Sequence, residues 1–251
     1  MRIHIIACRV LTRELSYFAS QSPHTVDITW LPQGLHDTPA KLRMKVSETI
    51  DSLYEQWEKR ELKHMPDVIV LGYGLCSNGV VGIQARDIPL VVPRTDDCIA
   101  LFLGSQQRYL ELFHAYAGTF WLNSGWVETA FIPTQKLLEQ KRREYAENYG
   151  EDNADFLMEQ DMLWAKNYRY IGYITSPIYD ATVNRDTARE AAGYNGWSFQ
   201  EFQGDPRLIQ KMTTGEWEEK EFLICPPYHR IEASYDGSKV CAVPCEESAA
   251  D

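Results

Sequence analysis

Short apolar runs alternate with amphipathic stretches through the first half of the chain. Runs rich in β-branched and aromatic residues predict strands at residues 2–7, 25–31, 67–72, 89–92 and 118–122. Stretches with apolar residues at helical spacing lie between them, the longest from about Ala40 to Lys63. Strands that alternate with helices favour βαβ units and a mostly parallel sheet.

The second half repeats this alternation after a polar interruption. Two helices, broken near Gly150, are predicted between Thr134 and Tyr168, and further strands follow at residues 168–175, 197–202 and 221–227. We therefore predict an α/β fold with a mostly parallel, Rossmann-like sheet flanked by helices and a second, smaller α/β lobe. Residues 1–130 form the first lobe in this prediction, including a short helix at 80–86. Residues 131–251 form a helical insertion and the second lobe.

Composition and charge narrow the possible partners. The 251 residues carry 25 Lys and Arg against 36 Asp and Glu, a net charge of −11, which disfavours nucleic acid. No apolar run approaches the roughly 20 residues of a membrane span, and the opening residues lack the pattern of a secretory signal. We expect a cytoplasmic protein without membrane or nucleic-acid partners. Its six cysteines are then expected to be thiols or metal ligands rather than disulfides.

Three cysteines and one histidine each follow a predicted strand. Cys8 follows the first strand, His36 the second, Cys76 the third and Cys98 the fourth. Because the carboxyl ends of parallel strands meet at one edge of a sheet, we expect these side chains to converge there. The sequence thus predicts a site built on Cys8, Cys76 and Cys98, with His36 as a fourth candidate ligand.

Converging thiolates repel one another unless a positive centre holds them. An iron–sulfur cluster of the 4Fe-4S type is favoured, because three cysteines would leave one iron free to bind substrate. Inclusion of His36 would instead complete a closed zinc site. The long spacings and the lack of a CxxC pair leave a third interpretation open, in which the thiols only pack in the core.

Several neighbours are candidates for contacts with cofactor or substrate. Gly74, within "GYGLCSNG", would let the backbone approach a ligand, and Asn78 and Ser105 would contact it. Arg94 is a candidate for binding a carboxylate or phosphate, and Asp97 for proton transfer. Structural explanations compete with each role: tight turns, helix capping, or pairing of Arg94 with an adjacent aspartate.

The remaining cysteines give a weaker signal. Cys225 ends an apolar run and is expected to pack, while Cys241 and Cys245 form a C-x₃-C pair that no further Cys or His pair follows. Nucleotide, dinucleotide and hydrolase motifs are absent from the sequence.

The sequence also carries a family resemblance. A cysteine ending the first strand, "LPQGLH", "GYGLC-NG", "PLVVPR--DCI--FLGS" and "GT-WL--GW" resemble an uncharacterised domain family of anaerobic bacteria and methanogenic archaea, over about Arg2 to Glu128. The resemblance implies a cytoplasmic protein of anaerobes, often encoded near genes for corrinoid-dependent methyl transfer, and brings no settled activity. The family often has His where this chain has Asp96 or Asp97, which weakens any role built on that carboxylate.

Two functions are therefore expected to compete. The first is an iron–sulfur protein that acts on a small polar substrate, by lyase or sulfur-transfer chemistry. The alternative is a zinc- or corrinoid-binding accessory protein of anaerobic methyl-group metabolism, with corrinoid or methyltransferase proteins as partners.

Overall fold

The structure is a computed structural model that describes residues 1–245. The strands are β1 (Arg2–Cys8), β2 (Thr25–Leu31), β3 (Val68–Gly72), β4 (Leu90–Pro93), β5 (Thr119–Leu122), β6 (Tyr170–Thr175), β7 (Ser198–Gln203), β8 (Phe222–Cys225), β9 (His229–Ala233) and β10 (Val240–Pro244). The α-helices are α1 (Thr12–Ala19), α2 (Pro39–Glu58), α3 (Cys98–Leu103), α4 (Gln106–Ala115), α5 (Ser124–Thr129), α6 (Gln135–Tyr149), α7 (Glu151–Asp161), α8 (Thr182–Asn195) and α9 (Arg207–Thr214). Short 3₁₀ turns occupy Arg9–Leu11, Leu35–Asp37 and Leu163–Asn167.

The largest sheet has the strand order β2-β1-β3-β4-β8. Strands β2, β1, β3 and β4 are parallel, with Ala7 opposite Gly72 and Val70 opposite Val91, whereas β8 runs antiparallel to β4. The predicted fold class, a mostly parallel sheet flanked by helices with a second smaller lobe, is confirmed.

Burial explains why these segments adopt their structures. All residues of β3 and β4 are buried, as expected for central strands with both faces covered. Helix α2 begins with Pro39, whose fixed φ suits a first helical turn. It then buries Leu42, Val46, Ile50 and Leu53 at helical spacing. Each such side chain contributes about 1.5–3 kcal/mol by leaving water.

Contacts divide the chain into two compact units. One comprises Met1–Tyr109 and the chain from Asp205, and the other comprises Leu110–Gly204. The second unit contains its own parallel sheet, in the order β5-β6-β7. The predicted lobes, 1–130 and 131–251, place the boundary differently. The chain from Asp205 belongs to the first unit because β8 returns to pair with β4.

The prediction of a short helix at residues 80–86 is wrong. Gly82 has φ +85°, outside the helical region, and its N–H donates to the Ile231 carbonyl at 2.7 Å. The Ala85 N–H donates to the His229 carbonyl at 2.8 Å. The backbone groups that a helix would require are therefore bonded to β9, a strand that lies far along the sequence.

Candidate metal centre

The sheet brings the first cysteine trio (Cys8, Cys76 and Cys98) to one edge. Cys8 is the last residue of β1, Cys76 lies four residues after β3, and Cys98 opens α3, just beyond β4. Since β1, β3 and β4 are adjacent and parallel, their carboxyl ends lie side by side. The strand-to-helix connections thus deliver the three thiols to a common region.

Backbone hydrogen bonds fasten the loop of Cys76 to the loop of Cys98. The Leu75 N–H donates to the Thr95 carbonyl, and the Cys76 N–H donates to the Asp96 carbonyl, each at 2.8 Å. Between these loops, a Cβ on Gly74 would lie 2.6 Å from Thr95 Oγ1 and 2.7 Å from the Thr95 carbonyl oxygen. Only glycine fits this approach, so Gly74 is required for the two loops to meet.

The backbone at Cys76 is strained. Cys76, Ser77 and Asn78 all have positive φ, at +47°, +56° and +68°. A non-glycine residue in this region typically costs about 1–3 kcal/mol, and such strain concentrates at functional sites. The turn is closed by the Gly79 N–H, which donates to the Cys76 carbonyl at 2.9 Å.

The electrostatics indicate that the three thiols are mutual neighbours. Burial raises the pKa of each above its ordinary value of 9.0. For Cys98 the pKa is raised further by the charges of Cys76, Asp97 and Cys8, and for Cys76 by those of Asp97 and Cys8. Cys8 and Cys76 are 5% exposed, whereas Cys98 is partly exposed. In the metal-free protein these groups are therefore neutral thiols at pH 7.

A backbone N–H favours the charged form of each of these thiols. The donors belong to Val10, Gly74 and Cys98, and each lowers the pKa of its thiol, although burial outweighs them. Such N–H groups stabilise sulfur in its charged form, which is the form that binds metal. The loops thus provide N–H groups that suit thiolates, although the thiols of the metal-free protein are neutral.

Two buried hydroxyls at this edge lack hydrogen-bond partners within residues 1–245: those of Tyr73, 3% exposed, and Thr95, 2% exposed. The pKa of Tyr73 is raised by burial and then by the charges of Cys8, Cys76 and Cys98, so its phenol lies within electrostatic range of all three thiols. Sequence analysis missed both residues. Tyr73 could have been identified from its position in the sequence, because it follows a buried strand and stands between two glycines.

The side chains are not arranged around a metal ion. Across residues 1–245, no group of three or more His, Cys, Asp or Glu is placed to hold one. The three thiols are neighbours without having ligand geometry, and metal binding would require them to rotate towards a common centre.

Asp97 caps α3 and adjoins the thiols. Its Oδ1 accepts hydrogen bonds from the Ile99 N–H at 2.9 Å and the Ala100 N–H at 3.4 Å, as the capping explanation predicted. Burial raises the pKa of Asp97, and hydrogen bonds from Ile99, Tyr109 and Ala100 oppose that shift. Asp97 thus adds an acid to a region that already holds three thiols.

Asp96 and Arg94 are engaged in other contacts. Asp96 accepts a hydrogen bond from the Gln106 side chain at 2.6 Å and pairs with Lys239 at 2.8 Å. Arg94 donates to the carbonyls of Glu219, at 2.7 Å, and of Ser238 and Val240. These bonds join the β4–α3 loop to later segments of the chain, and they argue against the predicted role of Arg94 in anion binding.

The other candidates are placed as follows. His36 is half-exposed, and its Nε2 lies 3.3 Å from Asp37 Oδ1, so this contact does not join it to the buried trio. Asn78 belongs to the strained turn and is exposed. Ser105 Oγ accepts from the Arg108 N–H at 3.2 Å, as a helix cap would. Gly74 alone among these candidates lies between the cysteine loops.

The C-terminal cysteine trio (Cys225, Cys241 and Cys245) lies on other strands of the first unit. Cys225 ends β8 and is fully buried, while the other two are partly exposed, in and just after β10. Burial and the charge of Cys245 raise the pKa of Cys225 to about 12.

No helix in residues 1–245 has the length and apolar character that crossing a bilayer requires.

Comparison with known proteins gives a family. Residues 30–213 match the model of a family described as "Protein of unknown function (DUF1638)". The matched region contains Cys76 and Cys98 but begins after Cys8. No curated protein and no solved structure matches the chain.

Proposed function

Starting from the fact that the chain belongs to the DUF1638 family, we propose that it binds an iron–sulfur cluster through Cys8, Cys76 and Cys98. The cluster is of the 4Fe-4S type, and the protein acts on a small polar substrate at the iron that lacks a protein ligand. One observation carries the proposal. Three thiols lie at the carboxyl edge of one parallel sheet, where the charge of Cys8 raises the pKa of Cys76 and Cys98, and the charge of Cys76 raises the pKa of Cys98. Asp97 is the other charged neighbour that raises the pKa of Cys76 and Cys98.

The charge of this region supports a positively charged occupant. Within residues 1–245, no Lys, Arg or His is among the groups that shift the pKa of these thiols. Ionisation of all three without a cation would place like charges together in a buried region, at high cost. Iron or another soft metal binds cysteine as thiolate and releases its proton.

The surroundings of the sulfurs support the same occupant. A backbone N–H lowers the pKa of each thiol, and backbone N–H groups near the sulfurs are among the features that tune iron–sulfur clusters. Buried hydroxyls without partners are rare in folded proteins, and Tyr73 and Thr95 supply two beside this trio. They are accounted for if a bound group and its substrate fill the region.

The ligand count favours a cluster over closed zinc coordination. A structural zinc site needs four protein ligands. His36, the predicted fourth ligand, contacts Asp37, and the carboxylate of Asp97 already caps α3. Three thiolates leave one iron of a cubane open, where it would act as a Lewis acid towards a substrate oxygen or sulfur. Lyase or sulfur-transfer chemistry follows from this arrangement.

We place this activity in the cytoplasm of anaerobes, beside corrinoid-dependent methyl transfer, on the strength of the sequence resemblance alone. In that setting the partners are a small-molecule substrate and corrinoid or methyltransferase proteins. An oxygen-poor cytoplasm is also the compartment in which an exposed iron of a cluster persists.

Anaerobic metal analysis tests the proposal. The protein is purified without oxygen, before and after reconstitution with iron and sulfide, and its iron, sulfide, zinc and visible absorption are measured. We expect about four irons and four sulfides per chain and a brown protein. A colourless protein that takes up no iron on reconstitution would overturn the proposal. Stoichiometric zinc without sulfide would also overturn it, in favour of the accessory metal-binding function.

A further inference from the structure

The second unit has a carboxyl edge of its own. Strands β5 and β6 are adjacent and parallel, with Leu122 opposite Tyr173, so the residues that follow them lie at the same edge of the sheet. Asn123 and Ser124 directly follow β5, and Ser176 directly follows β6. The Ser124 Oγ lies 3.1 Å from the Tyr173 hydroxyl, which joins the start of α5 to β6. Ligands of open α/β sheets bind outside this edge.

Asn123 carries a donor that its structural role does not use. It is 1% exposed and caps α5, because its Oδ1 accepts a hydrogen bond from the Trp126 N–H at 3.1 Å. Its Nδ2 has no hydrogen-bond partner within residues 1–245. A cap needs only the acceptor, which serine or aspartate would supply as well. A buried donor without a partner destabilises the ligand-free protein, so a ligand that accepts from Nδ2 recovers that cost on binding.

Two further donors of the second unit lack hydrogen-bond partners in the described part of the chain. They are Ser176 Oγ and Arg185 Nε, and both atoms are buried. Arg185 is the fourth residue of α8, and its neighbour Asn184 donates to Glu128 of α5 at 2.8 Å. This bond joins the start of α8 to α5, the helix that Asn123 caps. All three partnerless groups can donate a hydrogen bond.

The carboxylates near Arg185 hold it only loosely. Its Nη1 lies 3.9 Å from Glu201 Oε2, and its Nε lies 3.9 Å from Asp186 Oδ1, beyond hydrogen-bonding distance. Glu201 receives a shorter bond from Arg189, at 2.8 Å. The Arg185 Nε is therefore able to donate to a ligand.

We infer that the carboxyl edge of the second unit binds a small molecule through a carboxylate or phosphate group, which accepts hydrogen bonds from Asn123 Nδ2, Ser176 Oγ and Arg185 Nε. A guanidinium accompanied by amide and hydroxyl donors matches the several acceptor oxygens of such an oxyanion. A cation would be repelled by Arg185. The site uses residues of the second unit alone and requires no metal, so its test does not depend on the proposed cluster.

Titration calorimetry of the metal-free, full-length protein tests the inference. Inorganic phosphate and acetate are the probes, at constant ionic strength. We expect the wild type to bind at least one of them, and the tighter of the two identifies the group that the site takes. Arg185→Gln should weaken this binding by about ten- to hundredfold, because it removes a charge-assisted hydrogen bond. Ser176→Ala should weaken it by about three- to tenfold, the loss of one neutral hydrogen bond.

Arg169→Gln and Ser198→Ala are the matched controls. Both residues are exposed and lie at the opposite, amino edge of the same sheet: Arg169 directly precedes β6, and Ser198 is the first residue of β7. Both variants should bind phosphate and acetate as the wild type does. The melting temperature without ligand is a second readout. Ser176→Ala should keep or raise it, because this substitution removes a buried hydroxyl that has no partner.

Three results would overturn the inference. The first is that neither probe binds to the wild type. The second is an equal loss of binding in Arg185→Gln and Arg169→Gln, because the probes would then respond only to the overall charge of the protein. The third is a clearly lower melting temperature of ligand-free Ser176→Ala, which would reveal an internal partner for this hydroxyl.

Discussion

The two cysteine trios of the first unit differ in what surrounds them. The first trio lies in loops after adjacent parallel strands, and the C-terminal trio lies on or beside β8 and β10. Both include a buried thiol with a raised pKa. Positive φ occurs beside both trios, at Cys76 in the first and at Tyr228 and Lys239 near the second. At the first trio, an acid with a raised pKa (Asp97) and two hydroxyls without partners within residues 1–245 (Tyr73 and Thr95) accompany the sulfurs.

The comparison teaches that burial alone does not identify a candidate site. Cys225 is as buried as any thiol in the first trio, yet it ends an antiparallel strand, where packing is a sufficient explanation. The first trio combines costs that packing does not explain, such as positive φ at Cys76 and a phenol among three thiols. Backbone strain and buried polar groups without partners are therefore stronger signals of function than burial alone.

Replacement of whole trios gives the largest expected contrast. Cys8→Ala/Cys76→Ala/Cys98→Ala should lose all iron and sulfide and the visible absorption after anaerobic reconstitution. Cys225→Ala/Cys241→Ala/Cys245→Ala removes the same number of thiols and should load as the wild type does. Equal iron contents in the two variants would contradict the assignment, and circular dichroism of both verifies that they are folded.

A substitution at Gly74 tests the packing between the loops of Cys76 and Cys98 without replacing a thiol. Gly74→Ala should destabilise the metal-free protein by about 2–4 kcal/mol, because its Cβ would clash with Thr95 and the Asp97 N–H. Gly193→Ala is the control: nothing lies within 4 Å of its added Cβ inside α8, and a gain of up to about 1 kcal/mol is expected. Urea unfolding measures both, and a neutral Gly74→Ala would refute the tight approach of the loops.

The sequence was sufficient to predict the features that topology controls. Alternating runs predicted the parallel sheet, and a parallel sheet places the residues after its strands at one edge, so Cys8, Cys76 and Cys98 were predicted as a group. That they are neighbours follows from the register of β1, β3 and β4. The cofactor they hold stays a prediction.

The roles of individual side chains depend on contacts that no local pattern reveals. Arg94 looked available for an anion, but its partners include Ser238 and Val240, more than 140 residues further along the chain. The sequence pattern of residues 80–86 is typical of a helix, but backbone N–H groups in this segment donate to carbonyls of β9. Tyr73 was overlooked because an aromatic residue after a buried strand usually packs in the core.

The smallest expected contrast is in the pH dependence of stability. Burial raises the folded-state pKa of all three thiols in the first trio above 9.0, their ordinary value, which the unfolded chain retains, and neighbouring charges raise the pKa of Cys76 and Cys98 further. Stability is therefore fully present well below that value, and it is lost progressively as the pH approaches 9.0 and rises on towards the folded-state pKa, because only the unfolded thiols release protons in this range. The charge of Asp97 adds to the cost of ionising Cys76 and Cys98.

Metal-free wild type should accordingly lose about 1–2 kcal/mol more stability between about pH 7 and pH 9 than the variant with the first trio replaced by alanine. The control variant lacks one fully buried thiol, Cys225, and should stay closer to the wild type. Urea unfolding across this range provides the measurement. If stability falls equally with pH in the wild type and in the first variant, the thiols ionise as readily in the folded protein as in the unfolded chain. A cation or solvent would then reach them. That result would mean that the first trio is an accessible surface cluster of thiols and not a buried metal site.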